Sequence, residues 1–448
     1  SAGGSVTFNG TGYCDPVIAA GGVAVDFTNC VVTGNNGKTV TLGATNQTNA
    51  VRVGSRQGVT SVAGYGLTLN SSTSTANTGT QLGFHGNGGG DASGAIDVRL
   101  KAGGLTLNSG SQTGSYTQIG HGGLGSTAGN TTTAATITIS FCEPGDVILN
   151  GSTGTSAYAQ IGHGGRSTSG TRNGAISITG FRHLDLNGGS NANYGYAQIG
   201  HGGANSTFGT TVTGATITLS GSGNATIDGG GQNTHAMIGH GGNTASGAVT
   251  NSGIFLDMVG GIALTGGSAQ ESAAQIGHGG HNALNLRAVD SVIRINQAAG
   301  TGTGNIVRQG GGTNTHAMIG HGGSRTDGNQ GSGNNSASGD IEILRAANVR
   351  VLGGSNTDGV AQIGHGGERS TGTHGGNITV TTVGEIEVRG GTGGNFAIGK
   401  IGHGGVANRG AGATDPSGTK SGNITLNAGG KVTMAGGTAA YSAAQVGH

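Results

Sequence analysis

The chain has 448 residues, of which 103 are glycine and only 3 proline, a balance that excludes both collagen and a proline-rich coil. Charged residues make up 9% and the formal net charge is +1, so the electrostatic footprint for nucleic acid or an anionic membrane surface is missing. Aromatics are 3% with no Trp, which leaves little for a sugar-stacking platform, and no apolar run reaches the roughly 18 residues of a membrane span.

Residues 1–80 alternate polar and apolar residues without a recurring motif, as in Ser5-Val6-Thr7-Phe8, Thr39-Val40-Thr41-Leu42 and Leu67-Thr68-Leu69. We read this section as an N-terminal cap or irregular first coils, the device that blunts an open strand edge. Cys14 and Cys30 are expected to form a structural disulfide in an exported protein, and Cys142 to be a small buried residue. Ser1 follows no charged, apolar leader, which fits a mature form whose export signal has been removed.

Residues 81–448 repeat one unit. Its marker is Gln198-Ile199-Gly200-His201-Gly202-Gly203, with copies at His121, His163, His201, His240, His278, His321, His365 and His403. A worn first copy ends at His85 and a last one at Val446-Gly447-His448, so ten copies lie 36 to 45 residues apart. Each unit opens with a strand such as Ile137-Thr138-Ile139, continues with a second such as Leu184-Asp185-Leu186, and ends in the motif strand. A polar loop of variable length follows. Period-two alternation, Gly corners and no helical pattern predict an all-β fold: a parallel β-helix (β-solenoid) with about three short strands per coil and roughly ten coils. A second reading gives each unit two coils, but the loop half shows no apolar alternation to build another.

Within the motif, Ile occupies an invariably apolar place and is assigned to the core. The Gln place also accepts Met237, Met318 and Lys400, which suggests an outward side chain. Tyr116, Tyr158, Tyr196, His235 and His316 are expected to form an outward stacking column beside it, and His281 and His374 to be solvated in loops. The marker histidines admit two readings. One is a structural ladder of neutral imidazoles bonded to corner backbone, which acid should loosen because imidazolium ions some 5 Å apart repel. The other is a metal column chelating Zn²⁺, Cu²⁺ or Ni²⁺, although no Cys, Asp or Glu recurs beside the His to complete a coordination shell.

No catalytic cluster emerges. Asp185, Asp228, Asp257, Glu342, Glu385 and Glu387 are scattered, one or two per coil, where a polysaccharide-acting β-helix enzyme needs converging carboxylates. An ice-binding plane of Thr is interrupted by Phe255, Asp257, Arg294 and Glu342. No catalytic residue, cofactor or metal ligand set is therefore assigned.

Runs such as Tyr196-Ala197-Gln198-Ile199-Gly200-His201-Gly202-Gly203 resemble the bacterial β-strand-repeat surface proteins, akin to filamentous-haemagglutinin-like adhesins and autotransporter passenger domains. The resemblance covers about residues 80–448. It implies a non-enzymatic extracellular structural or adhesive rod at a bacterial cell surface, with surface glycans or other cells as partners. The motif cut at His448 points to a longer parent protein or to self-association into a head-to-tail filament.

Overall fold

The computed structural model describes residues 39–448, except 87–89, 127–128, 191–193, 210, 284, 324–335, 368–371 and 406–417, and within residues 1–38 the backbone of three strands. It is an all-β parallel solenoid. Each coil lays down one strand in each of three long sheets, and the sheets run along the axis.

The first sheet contains strands such as Ile96–Leu100, Ile137–Phe141 and Ile217–Gly221, the second Leu105–Asn108 and Leu184–Asn187, and the third the motif strands Thr117–Ile119 to Ala444–Val446. Their burial alternates because the residues do: in Ile96–Leu100 the Ile, Val and Leu are buried and Arg99 is exposed. Alternation with β-branched residues favours strand, and the Gly pairs between strands permit the corners.

Equivalent residues stack in register. Leu107 pairs with Leu69 and Leu149, and Ile161 with Ile119 and Ile199, so each inward place becomes an apolar column along the lumen. The motif sheet has 11 strands, one more than the recognisable copies, because Val51–Val53 supplies an additional rung. At about 4.8 Å per rung this gives a rod on the order of 50 Å long. Consecutive motif strands pair directly, so each unit is one coil rather than two.

Four expectations are corrected here. Residues 40–80 already belong to the regular stack, since Val40–Leu42, Thr60–Gly64 and Leu67–Asn70 pair in parallel with their successors. Among the described residues antiparallel pairing is confined to Val6–Thr7 with Val40–Leu42 and Gly10–Ile18 with Val25–Gly34. The loop half is patterned after all. From Val212–Thr213 onward it forms a fourth, 6-stranded sheet that encloses its own apolar cluster of Phe208, Val212, Ala215, Ala245, Val249, Ala283 and Leu286. Cys142 is exposed, because Phe141 takes the last inward place of its strand and the chain turns there. Finally, the ladder place of the first motif copy belongs to Phe84, not His85: Gln81 and Leu82 align with Gln118 and Ile119, which sets Phe84 opposite His121.

Cys14 and Cys30 are backbone register partners across the antiparallel pair. Their side chains, and with them the expected disulfide, lie outside the described residues.

Candidate functional site

The recurring polar constellation begins with a glycine. Gly200 has φ +153°, as have its equivalents within a few degrees, and a Cβ there would meet the carbonyl oxygen of Gly239 at 1.8 Å. Only glycine permits this conformation at such close approach. The turn it makes swings the next side chain, His201, into the corner between the motif strand and the beginning of the first strand.

There the imidazole ties two coils together. Its Nε2–H donates to the carbonyl of Gly174, 2.7 Å away at the start of the same coil, and its Nδ1 accepts the backbone N–H of His163 in the preceding coil at 3.0 Å. The arrangement repeats: His163 to Ala135, His240 to Ala215, His278 to Ser252, His321 to Ser291, His365 to Gly339, His403 to Gly376 and His121 to Gly94, all at 2.5–2.8 Å. Each imidazole therefore closes its own triangle and holds the one before it. His448 does the same with Gly422, and at the other end Phe84 donates its N–H to His121 but has no ring nitrogen to continue the file.

Adjacent rings are parallel at centroid separations of 4.7–4.9 Å from His121 to His448. From His121 to His403 they are at most 1% exposed. Desolvation pushes their pKa values down, to about 4 for His240, His321 and His403, and neighbouring rings lower His163, His278 and His365 further. From His163 to His403 the rings are neutral at physiological pH.

On the other face of the motif strand, the Gln side chains are buried, which corrects the expectation of an outward ladder. They do point away from the lumen, but the loop layer covers them. Gln198 Nε2 donates to the carbonyls of Gly239 and Gly241 in the next coil at 2.9 and 3.0 Å, and Gln81, Gln118, Gln160, Gln275 and Gln362 repeat this clamp. Met237, Met318 and Lys400 are buried in the same layer.

The Tyr column stacks as expected, Tyr116–Tyr158–Tyr196–His235 at 4.7–5.0 Å, yet it too is buried. Each Tyr hydroxyl donates to the Gln Oε1 of the preceding coil, as Tyr196 does to Gln160 at 3.2 Å. Where His235 replaces Tyr, Gln198 Oε1 has no partner. His281 and His374, expected in solvent, are also buried under the loop layer, and the His281 ring lies 6.3 Å from His316. These placements escaped sequence reasoning because tolerance of Met signals an apolar environment as readily as an exposed one.

Several described carboxylates are held in ion pairs. Glu342 pairs with Arg294, and Glu387 with Arg350 at 2.6 Å, each across adjacent coils on the outer face. Grooves open on the surface among the described residues. One, of about 530 Å³, is lined by Gly-Gly corners, Ser190, Ser268, Asn187 and Asp228. Another, of about 620 Å³, contains Asp290 and Asp340, whose oxygens accept bonds from Ser338 and from the Asn377 N–H. No group of three His, Cys, Asp or Glu suited to a metal ion occurs among the described residues. No protein-family model, curated protein or solved structure matches the chain.

Proposed function

We propose that the chain is a non-enzymatic structural rod, exported to a cell surface, which offers its flanks to glycans or other cells. The observation that carries this reading is the file of imidazoles from His121 to His403, in which both ring nitrogens are engaged with backbone, as in His201 with Gly174 and His163, so the most regular polar feature of the coil serves to hold coils together. The likeness of the repeat to bacterial β-strand-repeat proteins supports the extracellular placement.

A panel of surface glycans and whole cells probed with the purified chain tests the proposal. Saturable binding that leaves the bound glycan at its original length is expected. Cleavage of a bound glycan, or binding to neither glycans nor cells, would overturn it.

A further inference from the structure

Arg308 occupies an inward place of the second sheet, where its register partners are Leu264 in the preceding coil and Val351 in the next. It is fully buried, and none of Nε, Nη1 and Nη2 has a hydrogen-bond partner. The inward residues of the same coil, Ile293, Ile295, Ala317 and Ile319, belong to the apolar core. Arg172, the other large buried arginine, shows the usual solution: its guanidinium donates to the carbonyls of Gly129 and Ser169 at 2.7 Å. Nothing comparable reaches Arg308.

A guanidinium keeps its proton in proteins, and burial lowers Arg308 only to about 9, so it is cationic at neutral pH. An isolated charge in an apolar lumen is strongly unfavourable without a counter-charge. No described carboxylate supplies one: burial is the only influence on the Arg308 pKa, and Glu342 is engaged by Arg294 on the outer face. We propose that Arg308 forms a buried anion site inside the solenoid, occupied by a small monovalent inorganic anion of the chloride class. The orphan N–H groups provide its donors, and weak hydration lets such an ion leave water more readily than a carboxylate or phosphate. The same coil departs from the pattern at its first corner. Residues 296–305 separate Ile293–Ile295 from Ile306–Gln309, whereas residues 259–261 suffice one coil earlier. Asn296 and Thr301 of that longer corner are buried polar residues beside exposed Gln297 and Ala298.

The test combines two readouts on the full chain. Replacing sulfate by chloride at constant ionic strength should raise the melting temperature of the unaltered protein by about 1.5 °C for each tenfold increase in chloride above its Kd. The Arg308→Leu variant, which matches the neighbouring Leu264, should lose that dependence while remaining folded. Crystals soaked in bromide should show anomalous density within hydrogen-bonding reach of the guanidinium. Equal chloride responses from the two proteins, or a guanidinium surrounded by water alone in the bromide crystals, would overturn the proposal.

Discussion

The backbone N–H of His201 donates to Nδ1 of His240, 3.0 Å away in the next coil, while Nε2 of His240 lies 2.5 Å from the carbonyl oxygen of Ala215. An amide nitrogen only donates and a carbonyl only accepts, so the pair of contacts fixes His240 as the neutral tautomer with its proton on Nε2. Neither nitrogen is left over for chemistry.

Acid is expected to dismantle the rod from this column. The folded pKa of His240 is about 4 against 6.5 unperturbed, so the unfolded chain binds the additional protons. The stability contributed is fully present above about pH 6.5 and is lost as pH falls toward 4, amounting to about 3 kcal/mol for one such group. Asp146 and Glu387, whose pKa values are lowered by Arg182 and by Arg350 with Arg389, titrate in a more acidic window. Urea midpoints measured from pH 7.5 to 4 should fall steeply across the histidine window. A flat profile there would contradict the neutral ladder.

Divalent metal should leave the column unmoved. Chelation requires the Nδ1 lone pair, which already accepts a backbone N–H in each coil, and a metal ion would have to break that bond and its stacking to bind. Titrating Zn²⁺ against the thermal transition at pH 7.5 is expected to produce no upward shift. A saturable rise would reinstate the metal reading.

The two kinds of motif-region glycine should respond differently to alanine. Gly200→Ala places a Cβ 1.8 Å from the Gly239 carbonyl oxygen at φ +153°, and should destabilise by several kcal/mol or prevent folding. Gly214→Ala, at φ +65° with nothing within 4 Å, should lose only about 1 kcal/mol from backbone strain. Denaturant midpoints of the two variants decide, and comparable losses would show that coil contact is not what requires Gly200.

One substitution should stabilise. His235→Tyr continues the Tyr116–Tyr158–Tyr196 stack and brings a hydroxyl toward Gln198 Oε1, the acceptor that Tyr196 satisfies one coil earlier on Gln160. The gain expected is about 1 kcal/mol. A calorimetric transition at or below that of the unaltered chain would mean the ring does not reach the amide.

The repeat period, the alternation of Ile137 with Ile139 and the Gly corners were sufficient to specify a parallel β-solenoid, because register stacking makes every coil solve the same packing problem. The structural ladder was readable for the same reason: a His that returns in every unit between glycines must face an equivalent backbone in every unit. Gln198 and Tyr196 were placed on the correct face of the strand but in the wrong environment. Period two tells which side of a sheet a residue takes and not what lies over that side.

What covers it is a layer built from loops of unequal length, whose segments Val249 and Leu286 meet only after the coils have stacked. Local pattern within the chain thus determined the strands, the lumen and the column of rings. The second interior above the motif sheet, the shift of the first ladder place from His85 to Phe84 and the unpartnered charge of Arg308 were decided by tertiary structure alone, because each depends on which coil lies next to which, and in what register.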